Sequence, residues 1–226
     1  MATPGSCRGT QTSNPSWATT PRYWARSSRY CAPSNRPKVQ SGEPVSIDPK
    51  RSLQDAHPLV FAVIPSPLDD LTLVARGDAL VAIYFAQHAR RPADATLGER
   101  VSADAVPVLA RTRAQLGEYF AGERDRFDLL LDPDGEEFAQ RVWARLREIS
   151  RGHTISYGEI AAELGQPGAA QAVGGAVGRN PLSIVVPCHR VVGAGGSLTG
   201  FAGGVARKAA LLELEEGEDA RASRLF

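Results

Sequence analysis

The chain has 226 residues, of which 42% are hydrophobic and 23% charged, enough for one large domain or two small ones with a sizeable core. It holds no run of 18 or more apolar residues, and its start lacks an apolar stretch followed by a cleavage site, so neither a membrane span nor a secretory leader is expected. The three cysteines, Cys7, Cys31 and Cys188, follow no C-x-x-C spacing, which argues against a disulfide framework or a four-cysteine zinc site and fits a reducing cytoplasm.

The net charge of +1 is unevenly spread. Residues 1–56 and 141–208 each carry 8 basic against 3 acidic side chains, residues 57–140 carry 8 against 14, and residues 209–226 carry 2 against 5. A basic segment between acidic ones suits a polyanion bound through one face, and it equally suits a merely solvated face.

Residues 1–56 are rich in Ser, Pro, Thr and Arg, show no hydrophobic period and read as a disordered extension. Trp17, Tyr23, Trp24 and Tyr30 interleave there with Arg22, Arg26 and Arg29, a mixture able to stack on nucleic acid, although a floppy leader explains it more simply. Order is expected from His57. Leu59–Ile64, Leu71–Ala75 and Leu80–Phe85 are short apolar runs joined by turn residues, which predicts an antiparallel meander. Val108–Phe120 reads as a helix, with Asp104 near its start and Gly122 past its end. A small α/β domain is thus expected over 57–131, with Asp132–Gly135 as a linker to a second domain over 132–226.

From Glu136 the period becomes helical. Phe138, Val142, Leu146 and Ile149 fall on one face, and Arg151-Gly152 is expected to stop that helix. Ser156 followed three residues later by Glu159 is a capping box, opening a helix to about Leu164. After the break Gly165-Gln166-Pro167-Gly168, Ala169–Val177 is a second short helix rich in Ala and Gly. The pair is a helix-turn-helix candidate. Its small residues allow close approach of a duplex groove or of another helix, and spacing does not choose between them.

Ile184–Val192 places Cys188 in an apolar run, with Pro187 before it and His189-Arg190 after it. A cysteine among Val and Ile is ordinarily an inert small hydrophobe. A neighbouring imidazolium would lower the thiol's pKa, and a carboxylate from Glu213, Glu215 or Glu216 would hold His189 charged in one tautomer. A thiolate made this way attacks saturated carbon without a metal or an oxyanion hole, and the thioether product is not cleaved by water. Such a protein would turn over once.

These residues resemble a known family. Pro187-Cys188-His189-Arg190-Val191 resembles the active-site signature of the O6-alkylguanine-DNA alkyltransferases, or methylated-DNA–protein-cysteine methyltransferases. Ser156-Tyr157-Gly158-Glu159-Ile160-Ala161 is similar to the family's first helix-turn-helix segment, and Ala172-Val173-Gly174 with Asn180-Pro181 to its recognition helix and the turn before its active-site strand. Gly200-Phe201-Ala202-Gly203-Gly204, Lys208 and Leu211-Leu212 resemble its lesion-pocket loop and last helix. Tyr119-Phe120-Ala121-Gly122 and Phe127-Asp128 resemble the end of its first domain. The likeness covers about 57–217.

The resemblance implies an α+β fold: a small ribonuclease-H-like α/β domain, then a mostly helical, winged-helix-like domain that binds DNA and accepts the alkyl group. It implies irreversible transfer from O6-alkylguanine to Cys188 after base flipping, and leaves O4-alkylthymine open as a second substrate. His189 would be the base, acting through a water, with Glu215 orienting it and Asn180 bracing the turn. Tyr157 would crowd the phosphate 3′ to the lesion and meet the base at N3. The carbonyls of Cys188 and Val191 would accept from the exocyclic amine, the backbone N–H of Ala202 would bond the alkylated oxygen, and Phe201 would wall the pocket. Gln171, Ala172, Gly174 and Arg179 would face DNA. The implied partner is double-stranded DNA carrying alkylated bases and the implied state a monomer, with no metal, other cofactor or membrane called for.

One position departs from the family pattern. Where an intercalating arginine usually precedes Ala-Val-Gly, this chain has Gln171, which predicts weaker DNA affinity or slower flipping with the chemistry unaffected. A lesion-binding relative that does not transfer is the alternative within the fold, and such proteins lack the cysteine. A helix-turn-helix regulator would need a dimer or a long basic recognition helix. A cysteine hydrolase would need an oxyanion hole around an exposed thiol, and no papain-like signature surrounds Cys188.

Overall fold

The structure is a computed structural model that describes residues 57–216. The extension 1–56, with Cys7, Cys31 and the Trp17–Tyr30 aromatics, and the tail 217–226 lie outside the described residues.

The three apolar runs form the expected meander. β1 (Leu59–Ile64), β2 (Leu71–Arg76) and β3 (Ala79–Phe85) pair antiparallel in sequence order. A fourth strand, β4 (Glu99–Arg100), adds parallel to β1, giving the order β3-β2-β1-β4. It was not legible in the sequence, because two exposed charged residues carry no period. β3 is buried along its whole length, because the sheet is covered on both faces. Leu80, Ile83 and Phe85 join the main core, while Val81, Ala82 and Tyr84 pack with Phe61, Val74 and Leu97.

α1 (Pro107–Phe120) begins one residue before the predicted start. Pro107 sits at its first turn, where a missing N–H costs nothing and a fixed φ helps. Leu109, Leu116 and Tyr119 face the core, and the Gln115 side chain clamps the chain beyond the helix by exchanging hydrogen bonds with Asp128 N–H and C=O (2.9 and 3.0 Å).

α2 (Glu137–Leu146) buries Ala139, Val142, Trp143 and Leu146. It ends earlier than Arg151-Gly152: a tight turn in which Ile149 N–H donates to Leu146 C=O (3.1 Å) keeps Ile149 in the core without continuing the helix. β5 (Ile155–Ser156) then leads into the helix-turn-helix, α3 (Tyr157–Glu163) and α4 (Ala170–Gly178). The capping box is present in both directions: Glu159 N–H donates to Ser156 Oγ (3.2 Å), and Ser156 N–H donates to the Glu159 carboxylate (2.8 Å). Trp143 Nε1 donates to Ala176 C=O (2.9 Å), fixing α2 against α4. The chain closes with β6 (Val191–Val192), parallel to β5, and α5 (Val205–Glu215).

The outer edge of β3 is not left open. Leu80 exchanges backbone hydrogen bonds with Leu130 and Asp132, and Ile83 does so with Pro181 and Ser183. An unpaired strand edge is thereby satisfied, and the segment that leads to Cys188 is registered on the N-terminal sheet.

The implied active-site strand is absent. Cys188–Arg190 is a single 3-10 turn, and only Val191–Val192 is extended. Local bonds replace a ladder: Val185 N–H donates to Ser183 C=O (2.9 Å) and Val186 N–H to Leu182 C=O (2.9 Å). Asn180 completes the turn, accepting from Leu182 N–H (3.0 Å) and donating to Val186 C=O (2.8 Å). At its apex Ile184 has φ 73°, a left-handed conformation that costs a β-branched residue about 1–3 kcal/mol and is held here by burial.

Candidate active site

Cys188 is 5% exposed, and its Sγ accepts a hydrogen bond from Asn180 Nδ2 at 3.0 Å. Burial pushes the thiol up to about 11, although the Asn180 hydrogen bond, the Lys208 charge and two backbone N–H groups favour the thiolate. His189 is wholly buried, and burial lowers its pKa more than Glu215 raises it. The imidazolium–thiolate pair expected from the sequence is therefore corrected. Burial disfavours both charges, and the two shifts favour a neutral thiol beside a neutral imidazole.

The tautomer follows from the partners. His189 Nε2 lies 2.9 Å from Glu215 Oε1. Burial would raise Glu215, but hydrogen bonds from His189 and Arg190, with their charges, outweigh it and keep its carboxyl well below the usual range. An ionised carboxylate only accepts, so the proton sits on Nε2 and Nδ1 is the basic nitrogen. Nδ1 is buried and has no protein partner.

Glu215 is the hub of the site. Besides His189 it accepts from Arg190 Nε (2.8 Å) and Nη2 (2.7 Å) and from Tyr119 Oη (2.7 Å). Arg190 also donates to Ile149 C=O, which turns the guanidinium inward. Tyr119 belongs to α1, so the N-terminal sheet domain reaches the relay directly. The sequence offered three candidate carboxylates, Glu213, Glu215 and Glu216. Glu215 is the one on the buried face of α5, with Lys208 and Leu211.

Lys208 was part of a motif but had no role in the sequence reading. Its Nζ is buried and donates to Val191 C=O (2.5 Å) and Thr199 C=O (3.3 Å). Burial lowers its pKa, and the nearby Cys188 sulfur partly restores it. One lone pair of the Val191 carbonyl, expected to receive a base amine, is thus already occupied. A signal for both residues does exist: Lys208 and Glu215 are charges at helical spacing on a face otherwise apolar.

The remaining expected residues surround an open cleft of about 730 Å³. Tyr157 and Ser156 at the start of α3 form one wall, and Gln171 and Gly174 of α4 another. Thr199 and Ala202 close the third side, and Thr199 Oγ1 donates to Tyr157 Oη (3.1 Å). Ala172 on α4 and Arg179 just past its end are exposed. Phe201 packs edge-on against Phe85 (6.2 Å) and does not line the cleft; neither does Cys188. Gly203 is required by the same contact, since a Cβ there would lie 2.6 Å from the Phe85 ring. Among the described residues no group of three or more His, Cys, Asp or Glu could hold a metal ion.

Residues 137–217 match the 6-O-methylguanine DNA methyltransferase DNA-binding domain, and residues 59–133 match the ribonuclease-like domain of the same proteins. The chain belongs to the 6-O-methylguanine DNA methyltransferase family. The methylated-DNA–protein-cysteine methyltransferase of Mycolicibacterium paratuberculosis is 46% identical over 166 residues, covering 74% of this chain and 98% of that protein. That of Mycobacterium leprae is 45% identical over 161 residues, 71% of this chain and 94% of the relative. Among solved structures, Mycobacterium tuberculosis OGT in complex with DNA superposes with a TM-score of 0.64 at 46% identity, covering 69% of this chain and 92% of that one. Family membership fits the expected α+β class, with a small sheet domain followed by a helical DNA-binding domain.

Proposed function

We propose that the protein repairs DNA by direct reversal, moving the alkyl group of O6-alkylguanine onto its own Cys188 in a single turnover. The observation that carries this reading is a buried thiol followed in the chain by a neutral imidazole whose Nε2–H is bound to an ionised carboxylate, leaving Nδ1 to take a proton. In the transfer the Sγ–C bond forms as the C–O6 bond breaks. The thiol proton passes to His189 Nδ1 through a water, the guanine takes a proton at N3 from Tyr157 Oη, and the proton on His189 returns through solvent to the Tyr157 oxygen. No water-labile ester results, so the protein is consumed. Stabilising negative charge at sulfur falls to the Asn180 hydrogen bond (3.0 Å) and the nearby Lys208 charge, both strengthened by a low dielectric.

The target atom is unreachable inside a duplex, so the nucleotide must be extruded at a cost of a few kcal/mol. Tyr157 would crowd the 3′ phosphate, and Gln171, Ala172, Gly174 and Arg179 would lie along the groove. The Cys188 carbonyl and the free lone pair of Val191 would read the exocyclic amine, Ala202 N–H would bond the oxygen, and Phe201 would back the pocket. A protein that only bound lesions would need no nucleophile, and here one is present with its base. The free Cys188 thiol suits a reducing compartment, which supports the cytoplasm as the place of work. Among the described residues no helix is long and apolar enough to cross a membrane.

Intact mass measurement after incubation with an O6-methylguanine oligonucleotide tests the proposal. One added methyl on the Cys188 peptide, absent from Cys188→Ser, is expected. Continuous release of demethylated DNA with the protein unmodified would overturn it.

A further inference from the structure

The cleft bounded by α3 and α4 is short of cations. Its helix-turn-helix walls present Tyr157, Gln171 and glycines, and no basic side chain of either helix lines it. The cation that does line it comes from the other domain: Arg90, in the turn that follows β3. Its side chain is exposed and makes no hydrogen bond or ion pair among the described residues. Its neighbour Arg91, by contrast, is tied to Thr72 and Asp94.

The turn carrying Arg90 is built rather than loose. His88 is buried edge-on against Tyr84 (5.2 Å), and its Nδ1 accepts the Arg90 backbone N–H (3.2 Å). Burial, with the Arg90 charge second, holds His88 at about 4, so this ring stays neutral and keeps accepting at physiological pH. His88 N–H donates to Phe85 C=O (3.1 Å) and Arg91 N–H to His88 C=O (3.0 Å). Ala89 N–H donates to Ala202 C=O (2.8 Å), which pins the turn to the loop edging the cleft. Arg90 also borders a second hollow of about 280 Å³ together with Arg179, at the end of α4. Asp134 and Glu136 line that hollow too; Asp134 is engaged by Arg76 at 2.9 Å, and Glu136 holds the N-cap position of α2 without a side-chain capping bond.

We infer that Arg90 is a DNA-backbone contact contributed by the N-terminal domain, binding a phosphate of the strand whose nucleotide enters the cleft. This rests on the DNA-repair reading above. An unpaired guanidinium carried on an anchored backbone beside a cleft suits a phosphate oxygen, and those anchors remove the backbone entropy that an arginine in a free loop would lose. Arg179, which follows α4 and borders the second hollow with Arg90, would hold the same backbone.

The test is duplex binding as a function of salt for the full chain and for Arg90→Gln, Arg90→Lys and the unrelated exposed Arg111→Gln. Each phosphate contact contributes about 0.9 to the slope of log affinity against log salt. Arg90→Gln should lower the slope by about that amount, so the wild-type advantage shrinks about 3.5-fold between roughly 50 and 200 mM salt. Arg90→Lys should restore most of it, and Arg111→Gln should leave the slope at the wild-type value. Methyl transfer from free O6-methylguanine base, which has no phosphate, should be unchanged in Arg90→Gln. An unchanged slope, or an equal loss with the free base, overturns the inference. Failure of the wild type to take up a methyl would instead overturn the repair reading, while the salt slope would still decide the role of Arg90.

Discussion

Tyr119→Phe isolates what the N-terminal domain contributes to the site. The substitution removes one hydroxyl and keeps the ring, so the packing of Tyr119 against Phe120 and Phe127 (centroids 5.4 and 5.6 Å) and the Arg151 guanidinium over the ring (5.3 Å) survive. What is lost is a hydrogen bond of 2.7 Å to a buried carboxylate oxygen. A hydrogen bond to a charged group is worth about 1.5–3 kcal/mol, and Oε1 keeps His189 and Arg190 as donors, which places the loss near 1.5 kcal/mol. For a domain of this size that lowers the melting temperature by roughly 3–6 °C. The effect on chemistry has a definite sign. With one donor gone, Glu215 concentrates more charge toward His189 and stabilises its protonated form. Because transfer needs a neutral His189, the acid limb of the rate profile should move to higher pH. Thermal unfolding and single-turnover methyl transfer between about pH 5 and 8 measure both. A variant with wild-type melting and an unmoved acid limb would refute the claim that Tyr119 acts through Glu215.

Glu215→Gln should cost about 3–5 kcal/mol at neutral pH, since Arg190 is left buried without its anion. The folded carboxyl is depressed, so its contribution is present above the unfolded value of about 4.3 and is lost as pH falls toward the folded one. Urea unfolding should therefore show a smaller gap between variant and wild type at pH 3 than at pH 7, and an equal gap would contradict the assignment. Gly203→Ala drives a Cβ to 2.6 Å from the buried Phe85 ring and should destabilise by about 1–3 kcal/mol while displacing the lesion loop, seen as slower transfer from free base as well as from duplex. Gln171→Arg should tighten duplex binding or speed transfer from duplex without altering reaction with the free base; equal affinities and rates would show that the exposed Gln171 is not where DNA is engaged.

Much of the fold was legible because its signals are local. Alternation and turn residues gave the meander, and the capping box at Ser156 and Glu159 gave the start of α3, because both are decided within a few residues. The two-residue β4 left no period to read. The early end of α2 was hidden because Ile149 stays apolar whether or not the helix continues. The site divides in the same way. Cys188, His189, Asn180 and Tyr157 stand in recognisable order along the chain, which carried the family resemblance and the expectation that Cys188 is the nucleophile. The residues alone left three carboxylates open for His189, and only the family resemblance singled out Glu215; which imidazole nitrogen lacks a partner and which way the thiol's pKa moves depend on burial and on partners such as Glu215, 26 residues from His189. Tyr119 lies 96 residues from Glu215, and Arg90 reaches the cleft from another domain. No local pattern encodes such pairs. Desolvation and long-range hydrogen bonding set these charges, and both exist only once the chain has closed around Cys188.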